Sequence, residues 1–234
     1  MKSLWVNPPW WCVLALLVVG GGLCVLAIMG DCVVRTPGPT PNILAATTPA
    51  SPASGELLVL TVSESTVGPV GAVQCWLSPD CEVNASTAGG NAGVQRQQAD
   101  SAAVQAATPF HGSSGVASGA TPRVSLPGVV GPSAGLATAL ALISAQTQTV
   151  VVPAGTVVAV TGTVDAAGVV GQVGGIEQKA VAAARAGAST MLVPTGQGPQ
   201  ASGTSVPVVE IGSVAQALAW LCAHGGHGPA CRVR

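Results

Sequence analysis

The feature that most constrains the fold is the alternation of short valine-rich runs with alanine-rich segments after residue 120. Valine favours strands and alanine favours helices, so this alternation predicts a small α/β or α+β domain. The core has to be built from Val, Leu, Ile and Ala, because the whole chain contains one Phe and no Tyr. Gly187 is a typical C-cap and Ser213 a typical N-cap. The predicted strands are 123–126, 156–165, 189–194 and 206–212, with a return strand or loop at 169–175, and the predicted helices are 133–146, 176–187 and 214–224.

An uncharged apolar run occupies residues 10–29, about the length that a helix needs to span a bilayer. Trp10 and Trp11 at its start suit a membrane interface, and Lys2 before it favours a cytoplasmic N-terminus. The run is long for the apolar part of a cleaved signal peptide, and no A-x-A site follows it. We therefore expect an uncleaved signal anchor, with the rest of the chain outside the cell membrane as a single-pass protein.

Composition divides the remainder of the chain into segments. Proline, threonine and alanine predict an extended stalk after the anchor, and glycine, alanine, serine and glutamine predict a linker further on. Part of that linker, 94–107, has a helical composition. The predicted segments are a cytoplasmic terminus (1–9), the anchor (10–29), a stalk (30–55), a strand segment (56–83, with a strand at 56–65), the linker (84–120), a folded domain (121–223) and a Gly/His/Cys tail (224–234).

The charge composition excludes several classes of partner. Only 7% of the residues are charged and the net charge is −1, so the chain lacks the basic surface of a nucleic-acid-binding protein. The only lysines are Lys2 and Lys179, and neither lies in a G-x-x-x-x-G-K-[ST] loop. We therefore expect no ATP binding, and no cofactor is predicted.

Four of the seven cysteines form two close pairs, Cys75 with Cys81 and Cys222 with Cys231. Outside the membrane, both pairs are plausible disulfides. Two histidines lie between the cysteines of the second pair, which leaves a zinc site open as an alternative, although a disulfide is favoured. A Ser–His–Asp triad is disfavoured, because the three histidines lie in segments of low predicted order, with His111 in a predicted loop.

Ser133 and Lys179 are the candidate catalytic pair. A serine hydroxyl becomes a nucleophile when a base takes its proton, and a buried, neutral lysine can be that base. Ser133 opens the predicted helix 133–146, whose first N–H groups could stabilise an oxyanion, and Gly131 and Gly135 would let a substrate backbone approach. Each residue also has a structural alternative: Ser133 could be only an N-cap, and Lys179 only a solvated surface charge.

Two motifs favour the catalytic interpretation. The stretch GPSAGLATALALISA (131–145) and the stretch TGTVDAAGVVGQVGGIEQKAVAAARAGASTMLVP (161–194) together resemble the peptidase domain of Lon proteases. The resemblance implies an α+β domain of the Lon proteolytic type, with the ribosomal protein S5 domain 2-like topology. It also implies that Ser133 is the nucleophile, that Lys179 is the general base and that Thr161 orients the lysine. The supporting residues would be Gly131, Pro132 and Gly135.

The N-terminal half resembles bacterial membrane-anchored Lon-like proteins that carry a peptide-binding PDZ domain. Here the stretch between Ala107 and Arg123 is too short for such a domain, and Val130 stands where ATP-dependent Lon enzymes carry an acidic residue. The expected function is that of a membrane-anchored, ATP-independent serine endopeptidase that acts on polypeptides. Lon relatives often form rings, so a homo-oligomer is a further expectation. The alternatives are a degenerate scaffold or binding subunit and a structural protein of the cell envelope.

Overall fold

The computed structural model describes residues 18–19, 22–23, 32–52, 55–84, 92–110 and 121–232. The strands are β1 (Val18–Val19), β2 (Gly22–Leu23), β3 (Cys32–Pro37), β4 (Thr47–Thr48), β5 (Glu56–Val59), β6 (Val62–Val67), β7 (Glu82–Asn84), β8 (Arg123–Val124), β9 (Val157–Val160), β10 (Thr163–Val164), β11 (Val170–Gly171), β12 (Thr190–Pro194) and β13 (Val208–Ile211). The α-helices are α1 (Pro69–Leu77), α2 (Ala92–Ala107), α3 (Gly135–Thr147), α4 (Ile176–Arg185), α5 (Gly198–Ala201) and α6 (Val214–Ala223). Short 3₁₀ turns lie at Thr108–Phe110, Pro132–Ala134 and Pro229–Arg232.

The chain divides into two compact units. The first comprises Met1–Pro37 and Val62–Gly90, and the second comprises Gly38–Thr61 and Asn91–Arg234. In the first unit, β6, β3 and β7 form an antiparallel sheet, with β3 in the middle. Helix α1 packs on this sheet, and a disulfide joins its residue Cys75 to Cys81.

The second unit is built around a four-stranded parallel sheet in the order β13-β12-β9-β5. Successive residues of a strand point to opposite faces of a sheet. On one face, Leu57, Val158 and Leu192 join a core cluster with α2, α3 and α6. On the other face, Leu58 and Met191 pack with α4 and α5. Because both faces are covered, the strands are apolar almost throughout, and a mixed α+β architecture follows as predicted.

Helix α3 lies in the centre of the second unit. Twelve of its residues are buried, which explains why its sequence is apolar on every side. Helix α4 ends at Arg185 with Ala186 at its C-cap, two residues before the predicted bound, and Gly187 follows in the left-handed conformation expected of a helix end: its φ is +70°, and its N–H donates to the Ala184 carbonyl. Helix α6 also begins as predicted, because the Ser213 hydroxyl accepts a hydrogen bond from the Gln216 N–H at 3.1 Å.

The structure differs from the predicted stalk and linker. Residues 38–52 belong to the second unit: Ile43 is fully buried in its core, and Thr47–Thr48 pairs with β8. Helix α2, which includes the expected helical segment, buries Ala103 and Ala107 in the same core. The alanine-rich composition that predicts a low-complexity linker also suits a packed helix, because alanine is the best helix former and packs closely. The folded unit is therefore larger than 121–223.

Two predicted strands are divided in the structure. The expected strand 56–65 forms β5 in the second unit and β6 in the first. The expected strand 156–165 is broken at Thr161 and Gly162 into β9 and β10. The predicted tail is also part of the fold, since Ala230 is buried and its N–H donates to the Thr149 hydroxyl at 2.9 Å.

The predicted membrane span at 10–29 lies almost entirely outside the described residues. The four residues of it that are described pair as two short antiparallel strands, Val18–Val19 with Gly22–Leu23. Valine favours strands, and three consecutive glycines at 20–22 disfavour a helix, so this local sequence is compatible with pairing. Among the described residues, no helix is both long and apolar enough to cross a membrane.

Candidate functional site

Ser133 lies in the 3₁₀ turn that leads into α3. Gly131 precedes this turn with φ 84° and ψ 168°, a backbone conformation that essentially only glycine adopts. Pro132 follows with its fixed φ and begins the turn. The side chain of Ser133 is half-buried. The sequence Gly-Pro-Ser therefore sets the direction in which the chain presents the serine.

The structure rules out the N-cap role for Ser133. Helix α3 begins at Gly135 rather than at residue 133, and its N-cap position is occupied by Ala134. Neither the 3₁₀ turn nor α3 has a side-chain hydrogen bond at its N-cap. The Ser133 hydroxyl is thus not used to begin the helix.

The residues between β9 and β10 hold the 3₁₀ turn Pro132–Ala134, here called the serine turn, in place. The Gly162 N–H donates to the Ser133 carbonyl at 2.9 Å, and the Leu136 N–H donates to the Gly162 carbonyl at 3.0 Å. A Cβ on Gly135 would lie 3.0 Å from the Val164 nitrogen. Gly135 therefore allows α3 to approach the chain's own backbone at β10, and not a substrate backbone as expected from the sequence.

Lys179 is buried on α4, with 2% of its surface exposed. It shares a helix face with Ile176 and Ala180, which are also buried, whereas Glu177 is exposed. The alternative that Lys179 is a solvated surface charge is therefore wrong. Gly175, at the N-cap of α4, has a left-handed backbone with φ 65° and ψ 39°, which allows the chain to turn sharply into the helix.

Thr161 connects the serine turn with the lysine. Its side chain is fully buried, and its hydroxyl accepts a hydrogen bond from Lys179 Nζ at 3.1 Å. The same hydroxyl donates to the carbonyl oxygen of Ser133 at 3.3 Å. One hydroxyl can do both, because it has one proton and two lone pairs. The three residues that the resemblance singles out are thus brought together at the end of β9.

Gln197 is a candidate positioning residue that the sequence analysis missed. It is 4% exposed, its Nε2 donates to the Val173 carbonyl at 2.8 Å, and its Oε1 accepts from the Val173 N–H at 3.0 Å. These two bonds pair the side chain with the backbone just before Gly174, Gly175 and the helix of Lys179. A single glutamine in a glycine-rich loop carries no sequence signal for this role.

The cysteine pairs predicted from spacing both form disulfides, Cys75–Cys81 and Cys222–Cys231. In the part of the chain that the structure describes, no group of three or more His, Cys, Asp or Glu residues could hold a metal ion. His224 stacks on Trp220 with ring centroids 3.9 Å apart. His111 lies outside the described residues.

Comparison with protein families agrees with this arrangement. Residues 94–208 match the family described as the Lon protease (S16) C-terminal proteolytic domain. The match runs from α2 to the first residue of β13, and it includes Ser133, Thr161 and Lys179. A comparison with curated proteins gives no match. The chain therefore contains a Lon-type peptidase domain.

Proposed function

We propose that this protein is a serine endopeptidase in which Ser133 is the nucleophile and Lys179 the general base. The observation that carries the proposal is the buried Thr161 hydroxyl, which bonds to the lysine Nζ at 3.1 Å and to the serine carbonyl at 3.3 Å. The position of Lys179 supports the proposal as well, because the side chain is 2% exposed and burial disfavours the charged form of a lysine. A neutral amine can accept a proton.

The proposed reaction is acyl transfer from a polypeptide to the serine and then to water. Neutral Lys179 takes the proton from the Ser133 hydroxyl, and the Ser133 oxygen attacks the scissile carbonyl carbon. The tetrahedral intermediate collapses as the amide C–N bond breaks, and the protonated lysine gives its proton to the leaving amine. Water then attacks the ester with Lys179 again as the base, which releases the acid and restores the serine.

An N–H group of the serine turn is the proposed oxyanion donor. Two N–H groups at the start of α3 are already used within the chain: that of Gly135 donates to the Pro132 carbonyl, and that of Leu136 donates to the Gly162 carbonyl. The Ala134 N–H belongs to the same 3₁₀ turn, whose bonds run from each N–H to the carbonyl three residues earlier. The expectation that the first helical N–H groups stabilise the oxyanion therefore moves to the Ser133 N–H, which lies next to the attacking oxygen.

We further propose that the activity does not require ATP, because the 234 residues contain no phosphate-binding G-x-x-x-x-G-K-[ST] loop. A homo-oligomeric ring is proposed from the resemblance to Lon proteases alone. Size-exclusion chromatography with light scattering tests the ring, and peptide hydrolysis with and without ATP tests the nucleotide requirement.

The decisive experiment is covalent labelling of the purified full chain with a fluorophosphonate, followed by mass spectrometry. We expect the label on Ser133, and we expect Lys179→Met to abolish it. Glu177→Gln is the matched control, because this exposed residue lies on the same helix and should leave labelling unchanged. A folded chain that takes no label would favour the alternative of a degenerate scaffold or binding subunit.

Membrane anchoring by residues 10–29 is also a proposal, supported by the length of this run, its lack of charge and the tryptophans at its start. It would place the peptidase domain outside the cell membrane, where the two disulfides could persist. Alkaline extraction of membranes tests it: the parent chain should remain in the pellet, and Leu17→Arg should release it. Ser63→Arg, which adds the same charge at an exposed position outside the run, should not.

A further inference from the structure

Helix α1 of the first unit carries an exposed apolar stripe. Val70, Val73, Trp76 and Leu77 are 74%, 44%, 66% and 71% exposed. With 3.6 residues per turn, these four side chains lie within about one third of the helix circumference. They form the α1 stripe. Large apolar side chains grouped in this way usually mark a contact surface.

The stripe is held facing outward. On the opposite side of α1, Ala72 and Cys75 are buried, with 4% and 6% exposed. The disulfide from Cys75 to Cys81 ties the last turn of the helix to the chain that follows it. The helix cannot roll to bury the stripe without losing these contacts.

Charge does not explain the stripe. Residues 62–84 contain no Lys or Arg, and their acidic residues are Glu64, Asp80 and Glu82. Helix α1 itself has no charged side chain. Because acidic residues are repelled by anionic lipids and basic residues are missing from this segment, electrostatic attraction does not draw it to an anionic membrane, and a contact with lipid would be apolar.

The stripe begins next to the point where the apolar run 10–29 joins the sheet. Only Gly30 and Asp31 separate that run from Cys32, so Cys32 lies within about 10 Å of the end of the run. Cys32 pairs with Val67 on the neighbouring strand, and α1 starts two residues later. If residues 10–29 cross a bilayer, the first turn of α1 is close to its surface.

We propose that the α1 stripe inserts into the interfacial layer of the membrane that residues 10–29 enter. This inference rests on the membrane anchoring proposed above. A helix of nine residues is about 13 Å long, which is too short to cross a bilayer and suits a helix that lies in its surface. Trp76 has the apolar ring and polar N–H that favour this layer.

The test uses two variants of the full chain, reconstituted into phosphatidylcholine vesicles, that each retain one tryptophan. The Trp76-only variant carries Phe at 5, 10, 11 and 220, and the Trp220-only variant carries Phe at 5, 10, 11 and 76. Both variants leave the cysteines intact. We expect lipids brominated near the headgroup end of the acyl chain to quench most of the Trp76 emission, with weaker quenching by lipids brominated deeper. Trp220, on α6 of the other unit, should keep its emission.

Three outcomes would overturn the proposal. If aqueous iodide quenches the Trp76 emission and brominated lipid does not, the α1 stripe is exposed to water. Emission shielded from both quenchers would show that protein covers the stripe, either a second copy of this chain or another partner. If the chain does not float with the vesicles, both the proposed insertion of the α1 stripe and the proposed membrane anchor are wrong. Fluorophosphonate labelling of Ser133 tests the peptidase proposal independently of this result.

Discussion

The Thr161 hydroxyl accepts a hydrogen bond from Lys179 Nζ at 3.1 Å, and both side chains are at least 98% buried. The bond joins the end of β9 to α4, at the point where the strand breaks toward β10. An amine in this position is costly to bury without a polar partner. Thr161 therefore fixes where the Nζ lies relative to the serine turn, which makes it a positioning residue for the proposed base.

Thr161→Val should slow fluorophosphonate labelling of Ser133 by roughly fivefold to 150-fold, because a lost partner of a buried donor costs about 1–3 kcal/mol. Valine preserves the shape of threonine and removes only the hydroxyl. The measurement is the second-order rate constant of labelling, followed by mass spectrometry.

Thr161→Ser is the matched control, because it keeps the hydroxyl and removes a methyl group. It should label much closer to the parent rate than the valine variant. Equal slowing in both variants would mean that Thr161 acts only through packing.

Lys179 should titrate below the usual lysine pKa of about 10.4, since its burial disfavours the charged form. The chain has one other lysine, Lys2, so the ¹³C spectrum of lysine-labelled protein contains two side-chain titrations, with Lys2 as the internal reference. Labelling of Ser133 should rise with pH through the same lowered pKa. A Lys179 titration at or above that of Lys2 would contradict the role of general base.

The same pKa difference predicts how stability depends on pH. Between the lowered pKa of folded Lys179 and the value of about 10.4 in the unfolded chain, unfolding takes up a proton. The free energy of unfolding should therefore rise with pH through this window, by about 1.4 kcal/mol for each unit of difference. Lys179→Met should remove this slope, and urea titrations of both proteins at several pH values would show it. A slope that persists in the variant would assign the effect to another group.

Gly131→Ala should destabilise the second unit by about 1–3 kcal/mol, because alanine is strained at φ 84° and ψ 168°. Nothing lies within 4 Å of a Cβ at this position, so the cost comes from the backbone conformation and not from a clash. Ser133 labelling should fall as well if the turn relaxes. The free energy of unfolding by urea measures the first effect.

Gly203→Ala serves as the control, since a Cβ there also meets nothing within 4 Å and its φ lies outside the left-handed region. It should leave stability unchanged or raise it by up to about 1 kcal/mol. If the two alanine variants behave alike, the conformation of Gly131 does not hold the serine turn.

The sequence predicts the helices and strands that a regular pattern of residue types marks. The alternation of valine-rich and alanine-rich segments places α4, β12, β13 and α6 close to their observed bounds. Gly187 and Ser213 act as helix caps because their backbone or side-chain chemistry is local. The resemblance identifies the three residues that meet at the end of β9.

Local sequence patterns do not predict residues whose role depends on contacts with distant parts of the chain. Ile43 is fully buried in a proline- and threonine-rich segment, because β5 and β8 supply the partners that its local sequence does not reveal. Gln197 bonds to a backbone 24 residues away, which no local pattern encodes. The sequence predicts Ser133 at the start of the helix because serine is a common cap, whereas in the structure Pro132–Ala134 forms a separate 3₁₀ turn after Gly131.

The disulfide Cys222–Cys231 should stabilise the second unit, which holds the peptidase domain, because it ties the last turn of α6 to the 3₁₀ turn at Pro229–Arg232. A disulfide with a sequence separation of 9 lowers the entropy of the unfolded chain. In the chain-entropy model this raises the free energy of unfolding by about 2–3 kcal/mol. Replacing both cysteines with serine should lower the free energy of unfolding by this amount. Replacing Cys75 and Cys81 instead removes a similar bond from the first unit and should leave the unfolding of the second unit unchanged. Loss of Ser133 labelling in the second variant would show that the two units depend on each other for stability.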